Sequence, residues 1–218
     1  MSLYSKLRTA MHNPQKAILY VTLGRSNYER VELKLGDIHR YSQIKPQNQL
    51  EAHMLEPSDI SDHLMTLYML TKQLNLQSIL ELGTRTGKST VALLLAAKEI
   101  GGTVTSIDIV DCPEAKAKVA SLGLTKYWRF IEVDDLLLEW NMPVDHLFID
   151  TAHTYDQTLK ELQKFEPYVN MGGVISLHDI VAFPDVLQAI SKYLSERNDL
   201  QLYKYFNDNG LAVIFKEG

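Results

Sequence analysis

Apolar and polar positions follow two rhythms along this chain. From residue 78 to residue 177, short and nearly unbroken apolar runs alternate with longer segments whose apolar residues recur every three or four positions. The first rhythm predicts strands at 78–82, 103–109, 128–133, 144–149 and 173–177. The second predicts helices at 88–100, 114–122, 154–168 and from 185 to about 196. Strands that are apolar throughout are buried on both faces, so the alternation predicts a parallel sheet covered by helices on each side through right-handed crossovers. Ligands of such sheets bind at the carboxyl ends of the strands. Upstream, Ile60, Leu64, Leu67, Leu70 and Leu74 share one helical face, after a cap at Ser58 or Asp59 and before a stop at Asn75. The pattern changes at the end, where apolar runs at 201–206 and 211–215 flank Asn207-Asp208-Asn209-Gly210 and predict a hairpin. The expected architecture is α/β, with a seven-stranded, mostly parallel sheet that closes in an antiparallel hairpin.

Residues 1–56 do not share this alternation. They are polar and basic, and Pro46, Pro57 and the Gln47-Asn48-Gln49 stretch mark a loose connection to the alternating region. The expected division is an N-terminal helical extension at 1–56 and one domain at 57–218. The first 28 residues carry Lys6, Arg8, Lys16 and Arg25 and no acidic residue, interleaved with apolar positions, while Pro14 splits them into short pieces. Three roles are open for the extension: a lid, a contact between subunits of a homo-oligomer, or an arm resting peripherally on an anionic membrane surface.

With 218 residues, 45% hydrophobic and 22% charged, the chain can bury one good core and not two large ones. A net charge of −5 argues against nucleic acid as a partner and against polyanionic substrates. A single cysteine excludes an internal disulfide and a cysteine-built zinc site, which points to the reducing cytoplasm.

The candidate chemistry begins where the first strand runs into Gly83-Thr84-Arg85-Thr86-Gly87-Lys88-Ser89. A glycine there lets the backbone turn sharply, and a helix starting just after it offers free N–H groups to a ligand. The Gly-Lys-Ser ending invites a phosphate-loop, nucleotide-hydrolase reading. That loop needs four residues between its first glycine and the Gly-Lys pair, and here there are three. A dinucleotide fingerprint, with glycines at its first, third and sixth positions, fits no better.

The segment Glu81-Leu82-Gly83-Thr84-Arg85-Thr86-Gly87-Lys88-Ser89 resembles the first motif of class I S-adenosylmethionine-dependent methyltransferases, in particular the metal-dependent, catechol-type O-methyltransferases. Ile149-Asp150-Thr151-Ala152-His153-Thr154-Tyr155 and Gly172-Gly173-Val174-Ile175-Ser176-Leu177-His178-Asp179 are similar to the signature of the methyltransferase 24 family. The resemblance implies a Rossmann-like fold and S-adenosylmethionine as methyl donor. It places the methionine end of the donor at Gly83, Thr84, Gly87 and Ser89, with Glu81 near the ammonium or supporting the loop. Asp108 would bind the ribose and Asp134 the adenine amine. Each polar residue also has a plainer role open to it: a strand-end acid for Glu81, a helix residue for Ser89, a solvated cap for Asp134.

The same resemblance puts a divalent cation at Asp150 and Asp179 and a general base at His153. The catechol-type pattern expects an Asn after Asp179, and Ile180 stands there instead. His178 is the substitute ligand, and a site of two Asp and one His shifts the expected metal from magnesium toward manganese, iron or zinc. The expected activity is O-methylation of a sugar, glycan or natural-product small molecule. A non-catalytic S-adenosylmethionine-binding or interaction module is the alternative.

Overall fold

The computed structural model describes residues 46–195 and 197–217. The expectations for residues 1–45, whether lid, subunit contact or membrane-facing arm, lie outside the described residues. The first described helix, α1 (Gln49–Met54), falls where the sequence reads as a loose connection. It forms because Asn48 and Glu51 cap reciprocally: the Asn48 side chain accepts from the Glu51 N–H, and the Glu51 carboxylate accepts from the Gln47 N–H.

The predicted helix beginning at residue 58 or 59 starts later. A 3₁₀ turn (Ser61–His63) precedes α2 (Leu64–Gln73). No side chain caps either element: the Ser61 hydroxyl accepts from the Ser58 N–H ahead of the turn, and Asp59 is drawn to Arg85 at 3.0 Å. Asn75 ends the helix in the left-handed conformation at φ 55, as its type suggests.

The α/β alternation then runs β1 (Ser78–Leu82), α3 (Lys88–Ile100), β2 (Thr103–Asp108), α4 (Pro113–Ser121), β3 (Trp128–Glu132), β4 (Val144–Ile149), α5 (Tyr155–Phe165), β5 (Val169–His178) and α6 (Pro184–Leu194). It closes with β6 (Leu200–Tyr205) and β7 (Leu211–Lys216). The sheet order is β3-β2-β1-β4-β5-β7-β6, parallel from β3 to β5, with β7 antiparallel to both its neighbours. This is the expected Rossmann-like layout with its terminal hairpin. Helix α5 stops earlier than predicted because Pro167 removes a helical N–H, and the chain tightens into a 3₁₀ turn at Glu166–Tyr168. Strand β5 starts four residues earlier than predicted, through an irregularity in its pairing opposite Val144 and His146.

Two apolar cores flank the sheet. Leu64, Leu67 and the buried face of α3 fill one side, and Leu162, Phe165, Val186 and Ile190 of α5 and α6 fill the other. His146 crosses the first layer: one ring nitrogen lies 2.9 Å from the Thr71 hydroxyl and the other 2.7 Å from that of Ser176. Burial holds this imidazole down at about 4, far below the 6.5 it has when solvated. The unfolded chain therefore binds this proton between pH 6.5 and 4 while the folded chain does not, so the stabilisation is complete above 6.5 and is lost as pH falls toward 4. Urea unfolding at pH 7.5 and 4.5 should show a loss of roughly 3 kcal/mol from this group, and His146→Gln should flatten the slope.

Candidate functional site

The chain leaves β1 toward β2 and β3 on one side and returns to β4 and β5 on the other, so a crevice opens between the carboxyl ends of β1 and β4. The loop after β1 is fastened on both sides: the Gly83 N–H donates to the Ile107 carbonyl of β2, and the Asp150 N–H at the turn after β4 donates to the Leu82 carbonyl, each 2.9 Å. The crevice has two hollows that share Gly83, Arg85, Asp150 and Thr151 as walls. One, of about 400 Å³, is lined by Ile107, Ile109, Val133, Asp108 and Asp134; the other, of about 100 Å³, holds Thr84, Ser89, His153 and Asp179.

Gly83 has φ +87, and a Cβ there would lie 2.0 Å from the Asp150 carbonyl oxygen, so only glycine lets the two loops touch. Gly87 differs from its expected role: it lines neither hollow, and its bare Cα faces Ala115 at 2.9 Å from a would-be Cβ, so it serves the close packing of α4. Asp108 joins the loop to β2, its Oδ2 accepting from the N–H groups of Thr84 (2.8 Å) and Arg85 (3.0 Å). Burial alone would raise its pKa, but these donors and the Val110 N–H outweigh it and lower it.

Glu81 is fully buried beneath the loop and accepts from the hydroxyls of Ser89, Thr90 and Ser106. Of its two expected positions, the loop support is the one seen. Ser89 lines the smaller hollow, but its proton is committed to Glu81, so only its lone pairs face a ligand. Lys88 borders the smaller hollow, but its Nζ is engaged elsewhere: it donates to the Glu56 carboxylate (2.8 Å) and to the backbone oxygens of Glu56 and His53. A phosphate-loop lysine would point the other way.

The ends of β4 and β5 bring His153, Asp150 and Asp179 together. His153 Nε2 lies 2.9 Å from Asp150 Oδ1 and 2.9 Å from Asp179 Oδ2. His153 and Asp179 both adopt left-handed backbone, at φ +53 and +66, which turns their side chains toward each other across the turn. Ligand atoms of Asp150, His153 and Asp179 all lie within 4.8 Å of one another, so His153 joins the two expected carboxylates. His178 sits behind it, nearly inaccessible, with Nδ1 3.5 Å from both carboxylates.

Burial would lower the His153 pKa, but the two carboxylates override it and hold it up at about 9. Burial would likewise raise Asp150, yet the His153 and His178 rings hold it down at about 2. Phe183 stacks on the His153 ring with centroids 4.6 Å apart, a contact that its distance in sequence conceals. Asp134 is at the rim of the larger hollow, where its Oδ1 accepts from the Leu136 N–H. Among the described residues, no helix is long and apolar enough to cross a membrane.

Residues 80–180 match the family model described as a methyltransferase domain. Solved structures resemble the fold: an O-methyltransferase from Bacillus cereus in complex with S-adenosylhomocysteine has 17% identity and a TM-score of 0.64, over 82% of this chain and 97% of that one. The O-methyltransferase TomG from Streptomyces achromogenes, involved in tomaymycin synthesis and in complex with S-adenosylmethionine, has 16% identity and a TM-score of 0.62 over all of both chains. The S-adenosylhomocysteine-bound methyltransferase PaMTH1 from Podospora anserina has 13% identity and a TM-score of 0.63, over 88% of this chain and all of that one. At these identities the structural likeness is one of fold. Residues 80–180 thus match a methyltransferase-domain family, and the described residues share the Rossmann-like fold of these solved methyltransferases.

Proposed function

We propose that the protein methylates a hydroxyl of a small molecule, a sugar or natural product being the acceptor class, at the mouth formed by Asp150, His153 and Asp179. The observation that carries this is the convergence of two carboxylates and an imidazole beside a glycine loop that opens on a two-part crevice. The sulfonium donor supplies an electrophilic methyl carbon, which the acceptor oxygen takes in line as the C–S bond breaks, leaving S-adenosylhomocysteine and one proton.

The chain's own residues then have divided tasks. The Gly83 loop and Ser89 hold the amino acid end of the donor, Asp108 takes the ribose, and the larger hollow takes the adenine between Ile109 and Val133. The trio must align the acceptor oxygen and accept its proton. His153 cannot accept it while two carboxylates keep it protonated up to about pH 9.

The donor set fits a divalent cation: the two carboxylates face one another through His153, and Asp179 Oδ1 is buried with no hydrogen-bond partner. Bound there, such a cation would acidify the acceptor hydroxyl and free His153 of its proton. Asp150 and Asp179 would hold it, and neutral His153 would be the base.

Calorimetric titration with S-adenosylhomocysteine tests the donor half, with binding expected and ATP not bound; the reverse result would sink the reading. Methyl transfer over a panel of hydroxylated acceptors tests the other half. Chelation should lower the rate, and His153→Asn, which tolerates the left-handed backbone, should lower kcat by roughly 10²-fold to 10⁴-fold with manganese affinity retained. Lost manganese affinity would make His153 a ligand instead, and unchanged rates in both cases would remove the mechanism.

A further inference from the structure

Beneath the larger hollow lies a carboxyl pair that the proposed reaction does not use. Asp135 and Glu161 are both buried, and each keeps one oxygen, Asp135 Oδ2 and Glu161 Oε2, without a hydrogen-bond partner. Two ionised carboxylates do not stay side by side in a buried site, whereas one proton shared between them satisfies both orphaned oxygens. Burial, and then Asp135 beside it, push Glu161 well above the usual carboxylate range, so Glu161 is the partner that keeps the proton.

The remaining oxygens of the pair meet one side chain. Gln157 Nε2 donates to Glu161 Oε1 at 2.8 Å and to Asp135 Oδ1 at 3.2 Å, one N–H for each. The Thr151 hydroxyl donates to the same Glu161 oxygen at 2.7 Å. Turning the Gln157 amide over would set its carbonyl lone pairs against two carboxyl oxygens, so the pair locks the amide with its oxygen directed away from them. Gln157 lies on the first turns of α5 and lines the larger hollow, opposite the apolar Ile107, Ile109 and Val133.

We infer that Gln157 is a specificity-determining residue whose carbonyl oxygen accepts a hydrogen bond from the exocyclic amine of the donor's adenine, and that Asp135 and Glu161 are positioning residues that fix its orientation. This rests on the donor reading proposed above. Apolar walls take the faces of a purine without telling one purine from another; a fixed acceptor at its edge does tell them apart, because a carbonyl in place of the amine meets it lone pair to lone pair. The pair makes that acceptor rigid without placing a second full negative charge under the ring.

The test compares S-adenosylhomocysteine with S-inosylhomocysteine, whose purine carries a carbonyl in place of the amine, by calorimetric titration of the full chain. The unaltered protein should favour the adenosyl compound by roughly 10-fold or more, and Gln157→Leu should narrow that ratio to below about 3-fold. Glu161→Leu, which frees the amide to turn, should narrow it too, while Glu161→Gln, which keeps a neutral partner for Asp135, should restore it. A ratio unchanged in Gln157→Leu overturns the inference with the donor reading intact. Binding of neither compound by the unaltered protein overturns both.

Discussion

Exchanging Asp179 for asparagine should lower kcat/KM for methyl transfer by about 10²-fold or more while leaving S-adenosylhomocysteine binding within roughly 3-fold. The substitution keeps shape and backbone: asparagine adopts the left-handed conformation that Asp179 holds at φ +66 about as readily as aspartate does. What it removes is one of the two charges facing His153 at 2.9 Å. A single remaining carboxylate binds a divalent cation weakly and leaves the acceptor hydroxyl close to its solution acidity, and each 1.4 kcal/mol lost in the transition state is about tenfold in rate. The donor cradle is a separate set of contacts on the β1 loop, so donor affinity should stay. Parallel titration of manganese separates causes: a rate loss with unchanged manganese affinity would assign Asp179 to acceptor alignment alone. A rate within roughly 3-fold of the unaltered protein would exclude Asp179 from the chemistry.

Gly83→Ala should be the most damaging single substitution in the cradle. Its Cβ would stand 2.0 Å from the Asp150 carbonyl oxygen, a backbone atom fixed by its own strand and unable to rotate away. The left-handed φ of +87 adds the ordinary cost of a side chain there, about 1 kcal/mol, to a steric cost of roughly 1–3 kcal/mol. For a domain of this size that sum lowers Tm by roughly 5–15 °C, and relief of the clash must part the loops of β1 and β4, so donor binding should fall with it. Gly101→Ala is the control. Gly101 has φ +74 but nothing within 4 Å of a Cβ, so it should show the conformational cost without the clash. Equal losses at the two positions would show that the contact between the loops is not close in solution.

The elements that the apolar rhythm marked were found within a few residues, and the deviations have local causes. Pro167 cut one helix short, and Asp59 pairs with Arg85 instead of capping the helix expected there. Helix α1 went unread because its stabilisation is a capping exchange between Asn48 and Glu51, carried by two polar residues in a stretch with no apolar period. The site was legible wherever function depends on being at the end of a strand: Gly83, Asp108, Asp150 and Asp179 all reach the crevice. It was less legible where the direction of a side chain matters. Ser89 and Gly87 belong to one expected cradle, and in the structure Ser89 lines the smaller hollow with its proton given to Glu81, while Gly87 packs against Ala115.

The sequence by itself therefore determined the layers, the order in which strands alternate with helices, and the short list of acids, histidines and glycines at the strand ends, because burial periodicity and chain connectivity are local properties. The tertiary structure alone decided which of those groups meet. His153 stands nearer to Asp150 and Asp179 than His178 does, at 2.9 Å against 3.5 Å, and Gln157 is tied to Asp135 across 22 positions of chain. Such pairings depend on distances between elements that the packing of two cores against one twisted sheet establishes, and no local pattern encodes them.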